Sequence, residues 1–272
     1  MLHNFGYFVA IFIGLSLGIM GGGGSILTVP VLVYLMGVSP VLSTAYSLFV
    51  VGSTSVVGAS GYFRRGLVSL RTAIVFLFPS LLAVFVMRKV LMPAIPHVLF
   101  AVGEIVFTKD LLVLVAFAVL MVVAATSMIR SKQAEVVLDV ELHHQHAFNY
   151  PLVLTIGLVV GTLTGFVGAG GGFLIIPALV LGARLPMKLA VGTSLAIIAM
   201  NSLIGFSGDL SAGTPIVWPF LLGFLVFALG GIVLGTYLAR FIPGAKLKPA
   251  FGWFTLGMGT FILTKELLFH HV

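Results

Sequence analysis

The chain has 272 residues, of which 8% are charged and 60% hydrophobic, with a mean hydropathy of +1.24. So few charges cannot cover the surface of a water-soluble domain of this length, so its solvent is lipid. The net charge of +7 does not indicate a nucleic-acid partner, because the bases are spread over short loops between apolar segments instead of forming a stripe. Without cysteine there are no disulfides, thiolate metal sites or cysteine nucleophiles.

The first apolar segment, Phe5 to Met20, has the length of a signal peptide but lacks a Lys/Arg n-region and an A-x-A pattern, and reads as retained. A glycine break and a short helix over 25–37 follow, then spans at 41–62 and 69–88. Pro96 to Phe107 is ambiguous, and precedes Lys109-Asp110 and a span at 111–129. The polar stretch from Arg130 to Asn149 holds Lys132, Glu135, Asp139, Glu141, His143, His144 and His146. Beyond it come a helix at 150–167, a second break, a short helix at 172–183, and spans at 188–207, 216–240 and 249–269. Runs such as Leu111–Ile129 and Ile216–Ala239 reach the roughly 20 residues that cross about 30 Å of hydrocarbon. Their continuity excludes a β-barrel, whose strands alternate over segments of about 10 residues. The expected fold is an all-α integral membrane protein with about 8 transmembrane segments.

A shift of 147 residues aligns Gly14–Gly66 with Gly161–Gly213 without a gap, and 17 of the 53 positions are identical. Among them are Gly21/Gly168, Gly23/Gly170, Gly24/Gly171, Pro30/Pro177, Ser47/Ser194, Ser55/Ser202 and Gly66/Gly213. The chain is therefore read as two repeats, 1–129 and 150–272, joined by the linker 130–149. If each broken segment is a helical hairpin that enters and returns, the three spans after the first are an odd number of crossings, and the repeats are inverted. Arg64, Arg65 and Arg71 mark the loop after the second span of unit one as cytoplasmic, and the base-free loop around Asp209 as external. Arg240, Lys246 and Lys248 agree with that assignment, whereas Arg88 and Lys89 do not.

The breaks are Gly21-Gly22-Gly23-Gly24-Ser25 and Gly168-Ala169-Gly170-Gly171-Gly172. Glycine destabilises a helix by about 1 kcal/mol per residue relative to alanine, so each run favours unwinding. Within lipid, unwound backbone is tolerated only where protein or a wet cavity satisfies it. Each run precedes a helix, whose N-terminal amides and dipole suit an anion. The candidate substrate-binding residues are thus Gly21, Gly22, Gly23, Gly24, Ser25, Gly168, Gly170, Gly171 and Gly172. The next spans carry Ser47, Ser53, Thr54 and Ser55, and Thr193, Ser194, Asn201 and Ser202. Of these Ser47, Thr54, Thr193, Ser194 and Asn201 join the candidate site, as neutral donors that bind an anion without fixing it by charge. The competing role for such hydroxyls is bonding to their own helix carbonyls, and for Gly14/Gly18 and Gly157/Gly161 it is close helix packing.

No acid or base falls in the middle of a predicted span, and Glu104, Lys109, Asp110 and Asp209 near span ends read as interfacial or loop charges. The three linker histidines read as solvated, so neither a metal nor a cofactor is expected. No G-x-S-x-G, H-E-x-x-H or P-loop pattern occurs, and the chain is read as a non-enzyme.

The segments GIMGGGGSILTVP (18–30), GFVGAGGGFLIIP (165–177) and AVGTSLAIIAMNSLIGFSG (190–208) resemble the sulfite exporter TauE/SafE family of membrane permeases. Unit one departs from that pattern, with Tyr46 where unit two has Thr193. The resemblance implies export or uptake of sulfur oxyanions or organosulfonates across the bacterial cytoplasmic membrane. From the residues, an alternating-access carrier for a small anion, a passive anion channel, and a membrane-embedded enzyme or subunit of a larger complex remain in play. Expected partners are the anion, membrane lipid and, through residual small-residue faces, a second copy as a homodimer.

Overall fold

The computed structural model describes residues 2–102, 105–130 and 150–269; Glu104 and the linker histidines lie outside them. The elements in order are α1 (Leu2–Met20), α2 (Gly23–Pro30), α3 (Pro40–Phe63), α4 (Leu70–Val86), α5 (Met92–Ala94), strands β1 (Val98–Val102) and β2 (Ile105–Thr108), and α6 (Lys109–Arg130). The second unit holds α7 (Tyr150–Val167), α8 (Gly172–Pro177), α9 (Met187–Ser211), α10 (Trp218–Leu238) and α11 (Gly244–Phe269). Pro30 and Pro177 close α2 and α8 and are each followed by one wide π-helical turn, Val31–Leu35 and Ala178–Gly182. A proline has no N–H to give and crowds the carbonyl four residues back, so the helix widens there in both units. The ambiguous stretch after Pro96 is an antiparallel hairpin, β1 with β2, in a fold otherwise helical among the described residues.

Among the described residues six helical segments are long and apolar enough to cross a membrane: Pro40–Phe63, Leu70–Ala94, Lys109–Arg130, Tyr150–Val167, Met187–Ser211 and Trp218–Phe241. Phe8–Met20, Gly24–Leu35 and Gly172–Gly182 are shorter apolar helices, and α11 has the length but carries Lys246, Lys248, Lys265 and Glu266. Large apolar side chains point outward, as on α4, where Ile74, Phe78 and Leu82 recur at one-turn spacing and are 64%, 81% and 66% exposed. That is the face that lipid requires. The protein is an all-α multi-pass membrane protein.

Glycine sets how the helices meet. On α1, Gly14 and Gly18 lie against the backbone of α10 at Ala228, Ile232 and Thr236, while Gly231 and Gly235 of α10 receive Ile11 and Leu15. In the same manner Gly157, Gly161 and Gly165 of α7 lie against Phe76, Ser80 and Val84 of α4. Both contacts advance in the same direction along their two helices, so each pair is parallel. Between α3 and α9 the order reverses, with Gly205 on Leu48, Gly52 on Leu203 and Gly192 on Tyr62, so this central pair is antiparallel. The packing role anticipated for Gly14/Gly18 and Gly157/Gly161 is thus filled inside the chain.

Polar contacts gather the helix ends. Arg65 Nη2 donates to the Thr236 carbonyl (3.1 Å) and Arg71 Nε to Tyr150 Oη (3.0 Å), which puts the end of α3, the starts of α4 and α7 and the end of α10 together. At the other end Tyr46 Oη accepts from the Val217 amide (2.9 Å), and Arg88 bonds to Thr44 and Asp209, bringing together the start of α3, the α4–α5 end, the end of α9 and the start of α10. Main-chain contact at Gly14, Gly18 and Gly161 makes one prediction. Gly18→Leu or Gly161→Leu overpacks an interface and costs about 1–3 kcal/mol or more, lowering the melting temperature in detergent. Gly257→Leu, facing open space, leaves it unchanged.

Candidate functional site

Both breaks turn the chain through conformations that favour glycine. Gly21 has φ +71°, and Gly168, Gly170 and Gly171 have φ of +67°, +69° and +72°. A side chain there costs an L-residue roughly 1–2 kcal/mol at each position. The two breaks then touch through main chain, since a Cβ on Gly22 would strike the backbone of Gly172 and a Cβ on Gly172 that of Gly22. Two helix starts, α2 at Gly23 and α8 at Gly172, therefore lie side by side. Neither Ncap, Gly22 or Gly171, has a side chain with which to cap. Ser25 Oγ donates to the Gly22 carbonyl (2.7 Å), and Gly171 O accepts from the amides of Leu174 and Ile175 (2.9 Å each). Among the described residues no backbone carbonyl accepts from the amides of Ala169, Gly170 or Gly171. Gly24 lies against Ile13 and Leu17 of α1, so it closes the hairpin between α1 and α2.

The central helices α3 and α9 flank this contact. Ser194 Oγ lies 2.9 Å from where a Gly21 Cβ would stand, and Ser202 Oγ 3.2 Å from the corresponding point of Gly170. Ser47 Oγ, Ser55 Oγ, Ser202 Oγ and Asn201 Nδ2 are buried with no hydrogen-bond partner. Buried polar atoms are nearly always paired, so such a group calls for an explanation. Here the free atoms sit on the two helices that hold the breaks, and each can donate to a ligand.

Other candidates are engaged by the protein. Thr54 Oγ1 donates to the Val50 carbonyl (2.7 Å) and Ser194 Oγ to that of Val191 (2.8 Å), the own-helix bonding weighed above. Asn201 Oδ1 accepts from Ser80 Oγ (3.1 Å). Thr193 Oγ1 accepts from the amide of Ser69 (2.9 Å), the residue before α4, just as Tyr46 Oη accepts from Val217 before α10. The Tyr46/Thr193 mismatch thus preserves one task, capping the next span of the other unit. Ser55 and Ser202, absent from the expected set, are free where Thr54 and Ser194 are not.

The expectation that acids and bases lie in loops or at interfaces is corrected by burial. Arg88, Lys109, Asp209 and Glu266 are only 1%, 7%, 6% and 8% exposed. Arg88 Nη1 pairs with Asp209 Oδ2 at 3.3 Å, Lys109 Nζ donates to the Met92 carbonyl, and Tyr34 Oη donates to Glu266 Oε1 at 2.7 Å. The charge-bias rule carried the signal, for Arg88 was one of the two bases it failed to place.

The region of the breaks is closed. Ser25, Ser47, Ser55, Thr193, Ser194 and Ser202 are all fully buried. A surface cavity of about 340 Å³, lined by residues such as Val56, Phe63, Arg64 and Leu70, shares no residue with the breaks.

The family model described as sulfite exporter TauE/SafE matches residues 7–262. The chain belongs to the sulfite exporter TauE/SafE family of membrane transporters. It is 28% identical over 258 residues to a probable membrane transporter protein of Xylella fastidiosa, covering 93% of this chain and 92% of the relative. It is 27% identical over 249 residues to the probable membrane transporter protein YunE of Bacillus subtilis, covering 86% and 89%. No solved structure matches. The two kinds of hydroxyl separate in a stability measurement. Thr193→Val strands the Ser69 amide and lowers stability by about 1–3 kcal/mol, whereas Ser202→Ala removes an unpartnered hydroxyl and leaves thermal unfolding unchanged or slightly raised.

Proposed function

We propose that the protein is a secondary transporter that carries a small anion, sulfite or an organosulfonate, across the bacterial cytoplasmic membrane by alternating access. The observation that carries this reading is the meeting of the two glycine breaks at Gly22 and Gly172, which sets two helix N-termini beside buried, unpartnered hydroxyls. Helix starts and hydroxyls suit an oxyanion through amide and O–H donors. The sulfur in the proposal comes from the family, whose description names sulfite.

In this reading the two units are inverted copies that rock about the breaks. Support comes from the helix directions: α1 runs parallel to α10 and α7 parallel to α4, while the central α3 and α9 are antiparallel. The contacts α1 with α10 and α7 with α4 exchange with each other when the units are exchanged. A carrier is favoured over a channel because the candidate side chains are buried, so access needs movement. The free edges of Ser47, Ser55 and Ser202 and the amides of 169–171 would meet the anion in passage.

Purified protein in proteoliposomes is expected to accumulate labelled sulfite or a sulfonate, with trans-stimulation by unlabelled anion inside. Gly22→Leu and Gly172→Leu are expected to lower the rate at least tenfold. No anion moved by wild type, or wild-type rates in both variants, overturns the carrier; flux without trans-stimulation makes it a channel. A second test uses the absence of native cysteine. Arg64→Cys and Ser211→Cys, equivalent positions of the two units, are expected to react with an impermeant thiol reagent from opposite sides of the membrane, and labelling from one side contradicts the inversion.

A further inference from the structure

Arg88 belongs to the π-helical turn Met87–Leu91 that continues α4, a distortion that recurs at functional sites. Its side chain threads between two glycines: a Cβ on Gly168 would collide with the guanidinium, and one on Gly208 would come within 3.0 Å of Arg88 Cβ. Both glycines have a repeat partner, Gly21 and Gly61, yet with α4 set on α10 by their capped starts, Ser69 on Val217, the position equivalent to Arg88 is Thr236, so the arginine has no counterpart. The guanidinium therefore lies at the second break alone, and it is 1% exposed.

Its hydrogen bonds are one-sided. Nη1 takes all of them, donating to Thr44 Oγ1 at 3.0 Å and to Asp209 Oδ2 and Oδ1 at 3.3 and 3.5 Å. Nε and Nη2 are buried and have no partner. Those two N–H groups form the parallel fork by which arginine holds a carboxylate or another planar pair of oxygens. The carboxylate of Asp209 does not use the fork; it sits at the far nitrogen, at distances beyond those of a strong charge-assisted bond. A buried cation left with two free donors is unfavourable unless another acceptor visits.

The geometry points to the Nε/Nη2 edge of Arg88 as a bidentate oxyanion site at the second glycine break, with Asp209 as the resident counter-ion that the incoming anion competes against. This rests on the anion-transport reading and makes it specific. The bound group presents two oxygens in a plane, as sulfite, a sulfonate or a carboxylate does. Thr44 and the guanidinium both lie against Gly168, next to the unpaired amides of Ala169 to Gly171. Lys109 and Asp110 at the start of α6 complete the charged surroundings; Lys109 is held by the Met92 carbonyl and Asp110 by the Val41 amide. Arginine–carboxylate pairs are frequently bidentate through this fork, whereas Asp209 is met by Nη1 alone.

Calorimetric titration of the purified full chain in detergent with sodium sulfite, sulfate, methanesulfonate and acetate tests this. Arg88→Gln and Arg88→Lys are expected to weaken binding at least tenfold, the lysine because it keeps the charge but loses the fork. Asp209→Asn, which removes the competing carboxylate, is expected to strengthen it several-fold. A structural pin predicts the opposite sign for Asp209→Asn, with loss of binding as large as for Arg88→Gln, and that result overturns the site. Wild-type affinity in both Arg88 variants also overturns it while leaving anion transport standing. If the wild type binds none of the four anions, the transport reading fails and the site with it. Should Arg88→Gln or Asp209→Asn fail to give a monodisperse protein, Arg88→Lys, which retains the partner of Asp209, decides the matter.

Discussion

Unwound backbone inside a membrane is tolerated only where protein or a wet cavity surrounds it, and in this chain the two unwound segments are packed directly against each other. Gly22 and Gly172 approach without side chains between them. Any Cβ at either position would separate the breaks, and with them the starts of α2 and α8. The remainder of the bundle follows from this contact. Each break needs a helix that returns from it, a proline that ends that helix, and a central helix from each unit to flank the meeting point. Those parts are the ones the two units share: Pro30 and Pro177, Ser47 and Ser194, Ser55 and Ser202. The glycine faces of α1 and α7 then draw α10 and α4 close enough for main-chain contact, which substitutes in lipid for the hydrophobic drive that is absent there.

What the units do not share is as informative. The residue equivalent to Asp209 is Tyr62, which donates to the Gly18 carbonyl at 3.1 Å, and the one equivalent to Arg88, with Ser69 set on Val217, is Thr236, whose backbone packs on Gly18. At one end of the bundle the position thus serves packing, and at the other it holds a buried charge beside a glycine break. Duplicated residues build two equivalent hairpins, and unduplicated ones give a single hairpin a fixed charge. A transporter made of related halves requires some such difference if its two faces are to be unequal.

The membrane class, the duplication and both breaks were legible in the sequence because each depends on composition or on spacing along the chain. A low share of charge rules out water as solvent whatever the fold, and a run of glycines disfavours a continuous helix wherever it lies. Sequence reasoning also assigned Gly14, Gly18, Gly157 and Gly161 correctly to packing. It could not separate Ser202, with no partner, from Ser194, which bonds its own helix. Both are serine hydroxyls of α9, about two turns apart, and only the neighbours present in space distinguish them. The strands after Pro96 were ambiguous for a related reason: short apolar runs fit a helix or a hairpin until pairing decides.

By itself the sequence determined that this is a lipid-embedded, duplicated helical protein with two places where the helix must open. Only the tertiary structure decided that those two places touch, and that Arg88 and Asp209, 121 residues apart, meet beside one of them. The physical reason is that a break is a local property of the chain. A buried ion pair is created by the approach of α4 to α9, and nothing in either segment alone distinguishes a charge facing water from one facing its partner.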